Sequence, residues 1–260
     1  EGLWTEWYED GQKRRERNFK DGERDSTWTT WYKNGNKKFL ASYSDGKLNG
    51  KYIRWYEGGI IKELDGEYLN NKKHKKWIYW SKNGQKTEEI NYDNGVHQGP
   101  HIKWFGEKSD QHKKFHINYK DGNKDGNWHH WYSSGVDSLK ATYLNGEKDG
   151  HWIWWRKNGL KDKEGYYKKE KKHGLWTIWN DSTGNAYHKL HEETYVNDAI
   201  DGKVTKWYKE GGLDRQGIMR GKEKEGEWTY WERGGKRWLK FDYGDGLEKV
   251  SLGEIEERRR

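Results

Sequence analysis

The stretch STWTTWYKNGNKKFLASYSDG, residues 26–46, decides the fold. Its first half carries Trp28 and Trp31, and its second half alternates Phe39, Ala41 and Tyr43 on one side of an extended chain. The pairs at 34–35 and 45–46 are Asn-Gly and Asp-Gly, which tolerate the positive φ of type I′ turns. The stretch therefore predicts a β-hairpin followed by a second tight turn.

The same pattern recurs ten times at spacings of 24 to 28 residues. The repeats open near residues 2, 26, 50, 75, 99, 126, 150, 174, 202 and 226. One hairpin cannot bury its own face, but hairpins stacked edge to edge can. We expect an all-β, elongated and twisted antiparallel hairpin solenoid of ten repeats, forming one domain over residues 1–253 with a charged tail at 254–260. Insertions at 106–113 and 181–188 are expected to bulge from one edge of the sheet.

Tryptophan occupies position 6 of every repeat, counted from the opening residue. We expect these rings to form a structural ladder, each packed against position 6 of the neighbouring repeats. They are Trp7, Trp31, Trp55, Trp80, Trp104, Trp131, Trp155, Trp179, Trp207 and Trp231.

Position 3 carries a second aromatic row, on the opposite face of the strand. If that face is exposed to solvent, its aromatic rings offer flat surfaces on which sugars can stack. Its members are Trp4, Trp28, Tyr52, Trp77, Trp128, Trp152, Trp176 and Trp228. The sequence leaves open which of the two faces is exposed to solvent.

Composition narrows the class of protein. Only 30% of the 260 residues are hydrophobic, yet the chain holds 19 Trp and 18 Tyr. This aromatic content argues against a disordered chain. The absence of cysteine excludes a disulfide scaffold and thiolate metal sites. No segment has the apolar length of a transmembrane helix.

The net charge of +8 attracts acidic partners, such as an anionic lipid surface or a nucleic acid. Basic runs lie at 72–76, 168–172 and 258–260, but 43 acidic residues are mixed with the basic ones. A solvated edge is the simpler interpretation of these runs. No nucleic-acid-binding fold is recognised, so no specific nucleic-acid partner is expected. Neither a cytoplasmic nor an exported location is favoured.

We find no catalytic constellation, because almost every polar residue recurs in phase with the repeat. The segment 121–126, DGNKDG, matches the opening of a calcium loop, but its position 12 is Tyr132 where a bidentate Glu is needed. His112 and His116 share a predicted strand face without carboxylate neighbours. We therefore expect no enzymatic activity, no cofactor and no metal.

The Gly-x-Trp-x-x-Trp-Tyr-x-Asn-Gly pattern, followed by an aromatic residue and Asp-Gly, resembles MORN repeats. It is most similar to the variant typical of bacterial proteins, some of which are described as antitoxins. The resemblance implies a structural or protein-interaction module, a class in which some members are linked to membranes. Three functions remain open: a scaffold or filament subunit, a carbohydrate- or polymer-binding ladder, and an antitoxin-like inhibitor of a partner protein.

The first strand favours end-to-end assembly. Trp4 and Trp7 already occupy positions 3 and 6 of the first repeat, and no capping segment precedes them. An uncapped strand edge is a template for another strand. The last strands, around 238–243, could supply the partner of segment 3–8 in a second copy. The alternative is that a segment upstream of residue 1 caps this edge.

Overall fold

The computed structural model describes residues 1–106, 112–180 and 187–244, together with the backbone of 249–254. The contacts divide the chain into two compact units, Glu1–Gly135 and Val136–Arg260, although the sequence predicts one repeat domain. The repeat pattern runs through each unit, and each is described separately. The two predicted insertions, the turn pair at 245–246 and most of the predicted tail lie largely or wholly outside the described residues.

Unit 1 is built from antiparallel strands, each paired with the next in sequence. Its eleven described strands are β1 Gly2–Trp7, β2 Lys13–Lys20, β3 Glu23–Trp31, β4 Lys37–Ser44, β5 Lys47–Trp55, β6 Lys62–Leu69, β7 Lys72–Trp80, β8 Lys86–Asp93, β9 Val96–Trp104, β10 Lys113–Lys120 and β11 Asn123–Trp131.

Unit 2 repeats this arrangement. Its described strands are β12 Asp137–Leu144, β13 Glu147–Lys148, β14 Gly150–Trp155, β15 Lys161–Lys168, β16 Lys171–Trp179, β17 Lys189–Val196, β18 Ala199–Trp207, β19 Leu213–Arg220, β20 Glu223–Trp231, β21 Arg237–Asp242 and β22 Lys249–Glu254. The short strands β13 and β14 both pair with β12.

The structure confirms the predicted all-β class of successive antiparallel hairpins. No α-helix occurs among the described residues. The same residues accordingly hold no helix long and apolar enough to cross a membrane.

The repeat that begins at Ser26 contains two turns. In the first turn, the Tyr32 N–H donates to the Asn36 carbonyl oxygen at 2.8 Å, and Gly35 has a φ of 80°. In the second, Asp45 and Gly46 have φ values of 48° and 73°, as a type I′ turn requires. The second turn is therefore of the predicted type I′, whereas in the first turn only Gly35 has a positive φ, so the prediction of a type I′ turn at 34–35 is wrong.

The residue that opens a repeat bends its strand. Ala41 pairs with Tyr52 whereas Tyr43 pairs with Leu48, so β5 has two more residues than β4 in this interval. Gly50 lies in the bend with a φ of 106°. Glycine adopts this conformation without a steric penalty, which explains the glycine that opens most repeats.

A β-bulge follows position 5 in most repeats. In β3 and β4, Thr30 pairs with Phe39 and Trp31 pairs with Lys37, which leaves Lys38 without a ladder partner. We call the residue in this place the bulge residue. The bulge residues are Arg14, Lys38, Glu63, Thr87 and Lys114 in unit 1, and Asp162, Leu190 and Asp214 in unit 2.

Candidate interaction surface

Four of the eight position 3 rings lie in the core. The exposed fraction is 2% for Trp77, and similar values recur in unit 2. The other buried rings of the row are Trp152, Trp176 and Trp228, whereas Trp28, Tyr52 and Trp128 are half-buried and Trp4 is exposed.

Trp77 is enclosed from two sides. A Cβ atom added to Gly66 would lie far inside van der Waals contact with the Trp77 ring, so glycine lets the ring lie flat on β6. Lys73 covers the ring from the same strand, with Nζ 4.4 Å from the ring centroid. The indole N–H donates to the Glu67 carbonyl oxygen at 3.0 Å. A ring buried in this way presents no free face to a sugar.

The same enclosure recurs in unit 2. Trp176 lies over Gly165, and Trp228 lies over Gly217. Lys172 and Lys224 stand above these rings at 4.6 and 5.4 Å from the centroids. The ligand-stacking role assigned to the row from sequence therefore stays a prediction only where a ring is open, as at Trp4, which is 63% exposed.

Histidines replace the tryptophan motif in one repeat of unit 1. His101 takes the place of the position 3 tryptophan, and its Nε2 lies 2.8 Å from Glu88 Oε1. This hydrogen bond lowers the pKa of the Glu88 carboxyl. Burial lowers the pKa of His97, whose ring centroid is 5.9 Å from that of His101. Within the described residues, no group of three His, Asp or Glu side chains could hold a metal ion.

The position 6 tryptophans are mostly half-buried. Trp7 is 55% exposed, and Trp179 is buried at 9%. Beside this row run ion pairs such as Lys86–Glu89 at 2.6 Å and Lys161–Glu164 at 3.0 Å. The structural role of the whole row stays a prediction. The remaining members are all half-buried: Trp31, Trp55, Trp80, Trp104, Trp131, Trp155, Trp207 and Trp231.

Tyrosine hydroxyls join successive repeats. The Tyr32 hydroxyl donates to the Trp55 carbonyl oxygen at 2.8 Å, and Tyr8 and Tyr56 make the equivalent bond to the next repeat. Sequence reasoning missed this contact, although a tyrosine follows Trp7, Trp31 and Trp55 directly.

The remaining sequence candidates lie in a turn, before strand β10, and within strands β7 and β10. Asp121 and Gly122 form the turn between β10 and β11, and the Asp121 N–H donates to Gln98 Oε1 at 2.7 Å. The calcium-loop match is therefore part of an inter-repeat turn. His112 precedes β10 and His116 lies within it, so the two do not share a strand. In the basic run at 72–76, Lys75 pairs with Glu67 at 2.8 Å.

A groove of about 580 Å³ crosses the first three repeats of unit 1. Its lining includes Tyr8, Arg14, Tyr32, Lys38 and Phe39. Arg14 lies 5.8 Å from the Tyr8 ring centroid, and Lys38 lies 5.2 Å from that of Tyr32. Bulge residues thus stand over the tyrosines that join the repeats.

Three stretches of the chain, residues 1–21, 24–45 and 73–94, match the MORN repeat variant. Each of these three stretches is similar to the MORN repeat variant. MORN repeats are in general structural or interaction modules rather than enzymes. No curated protein matches this chain.

Proposed function

We propose that this protein is a non-enzymatic scaffold whose MORN repeats hold a partner macromolecule against the sheet surface. The observation that carries the proposal is the change of charge along the bulge residues. Arg14 and Lys38 are cationic, Glu63 is anionic, Thr87 is neutral and Lys114 is cationic. The tyrosine bonds of Tyr8, Tyr32 and Tyr56 meanwhile repeat beside the first three of these residues.

The backbone supports this division of roles. A bulge residue lies outside the hydrogen-bonded ladder, and bulges re-aim side chains at functional places. Arg14 and Lys38 are exposed, and Glu63, Thr87 and Lys114 are half-exposed. The charge of the surface can therefore change from one bulge residue to the next while the strands that carry these residues stay the same.

The experiment is native mass spectrometry of the protein isolated from the cells that make it, with and without mild crosslinking. We expect one partner at a fixed ratio. Changing the five bulge residues of unit 1 to serine should release the partner and leave the melting temperature unchanged. Five exposed residues of the second turns, changed in the same way, are the control. Isolation of the wild-type protein without a stoichiometric partner contradicts the proposal.

Self-assembly through β1 is a second candidate. This strand pairs with β2 along one edge, and its large apolar side chains Leu3, Trp4 and Trp7 are 59%, 63% and 55% exposed. Exposed apolar strands favour pairing with another chain. Light scattering across a concentration series should show growth that a Trp4→Lys change abolishes. A particle whose mass does not depend on concentration overturns this candidate.

A further inference from the structure

We propose that the groove of unit 1 binds an acidic protein segment in the polyproline II conformation, with carboxylates three residues apart held by Arg14 and Lys38. The inference rests on the proposed scaffold function and names the chemistry of the partner. It follows from the charges of the groove, the spacing of two cations and the covering of the tyrosine rings by these cations.

Arg14 and Lys38 are the cations of the groove that remain available. Among the described residues, neither forms an ion pair, and each contacts only a tyrosine ring. The carboxylates nearby are already used, because Glu63 pairs with Arg54 at 2.8 Å and Glu16 pairs with Lys13. The groove therefore offers two cations to a ligand. A guanidinium binds a carboxylate with two parallel hydrogen bonds.

The spacing of the two cations selects the ligand conformation. Arg14 and Lys38 are bulge residues of β2 and β4, so their backbones are two strand spacings apart, about 9.5 Å. A polyproline II helix has three residues per turn and rises ~3.1 Å per residue, so residues i and i+3 lie on one side about 9.3 Å apart. An extended strand instead repeats its side every ~6.8 Å. The polyproline II segment fits this row.

The two tyrosine rings that the cations cover favour a peptide over a polysaccharide or a nucleic acid. Arg14 and Lys38 stand over the Tyr8 and Tyr32 rings, and the ring of Phe39 packs edge-on against Tyr52 with centroids 5.0 Å apart. Sugars and bases need free ring faces on which to stack. Ring edges and side-chain stems suit the pyrrolidine rings of a polyproline II ligand, which docks in aromatic-lined grooves.

The third repeat ends the cation row. Glu63 occupies the place of Arg14 and Lys38, and its charge repels a third carboxylate in the same register. The groove is therefore complementary to two acidic side chains in this register but not to a third.

The test uses a fluorescein-labelled peptide of two Glu-Pro-Pro triplets and fluorescence anisotropy at physiological ionic strength. We expect saturable binding by the full chain. The double variant Arg14→Gln with Lys38→Gln should bind at least about tenfold more weakly, since each change removes a charge-assisted hydrogen bond. The matched control is Lys20→Gln with Lys37→Gln, two exposed lysines of the same strands outside the groove, which should change affinity less than about twofold. Melting temperatures verify that all variants fold.

Four results overturn the proposal. Equal weakening in both double variants would mean non-specific charge attraction. Equal affinity for a peptide that alternates Glu and Pro singly would remove the spacing argument. Binding of a uronic-acid polymer, lost in Arg14→Gln with Lys38→Gln while the peptide does not bind, would assign the groove to a polysaccharide. If the peptide fails to bind while the wild-type protein still retains a stoichiometric partner, the groove assignment fails and the scaffold function stands.

Discussion

The Nζ atom of Lys73 lies 4.4 Å from the centroid of the Trp77 ring, four residues further along the same strand. A cation likewise lies four residues before every position 3 tryptophan from Trp28 onward and contacts its ring. Where the row lacks tryptophan, the cation is also absent. The pairs with tryptophan include Arg24–Trp28, Lys124–Trp128, Lys148–Trp152, Lys172–Trp176 and Lys224–Trp228, and the pairs without it are Leu48–Tyr52, His97–His101 and Ile200–Val204.

Replacing Lys73 by Ala should lower the free energy of unfolding by about 1 kcal/mol, because the change removes a cation–π contact and uncovers the ring. Equilibrium urea denaturation measures this loss. Lys72→Ala, an exposed neighbour, is the control and should change stability by less than about 0.5 kcal/mol. Equal effects of the two changes would show that the lysine does not stabilise the ring.

Gly66→Ala should destabilise the protein by about 1–3 kcal/mol, because the new methyl group collides with the Trp77 ring. Gly58 has no heavy atom within 4 Å of an added Cβ and lacks a positive φ, so Gly58→Ala is the matched control. A Gly66→Ala protein with the melting temperature of Gly58→Ala would mean that ring and strand are less closely packed than described.

Trp77→Ala should cost about 3–5 kcal/mol, because this ring is almost fully buried. Trp131, in position 6 of the same unit, is half-buried, so Trp131→Ala should cost less. Denaturant midpoints of the two variants give the comparison. A larger loss at Trp131 would assign the main stabilising role to the position 6 row.

Stability should decrease as the pH falls below about 6.5. Burial lowers the pKa of His97, His116 and His191 in the folded chain from the ordinary value of 6.5. The unfolded chain therefore binds protons first as the pH falls, and stability is lost between 6.5 and the folded-state pKa values. The double variant His97→Gln with His116→Gln should flatten this dependence in urea denaturation at a series of pH values. An unchanged slope would contradict it.

The hairpins could be predicted from sequence because Asn-Gly and Asp-Gly turns dictate local backbone conformation. Pairs such as Asn34 with Gly35 and Asp45 with Gly46 therefore locate the strands without knowledge of packing. Which face is more deeply buried could not be deduced from hydrophobicity, since tryptophans occupy both faces.

The signals that settle the buried face were nevertheless present in the sequence. A lysine four residues before Trp77 and a glycine at position 66 of the facing strand together define a flat, covered slot for one ring. The spacing of large residues along one strand carries no information about a small residue, such as Gly66, on the facing strand. The bulge could not be foreseen, because Lys37 and Lys38 are alike in sequence and only the register separates them.

The β-bulge gives this protein a way to diversify. Lys38 neither completes the ladder nor fills the core, so mutation there is nearly free of a stability cost. Duplication of a 24-residue unit adds one such position, and a single codon change then resets its charge. Recognition and folding can therefore evolve on separate residues of the same strand, and exchanging whole repeats should transplant binding preference between proteins built in this way.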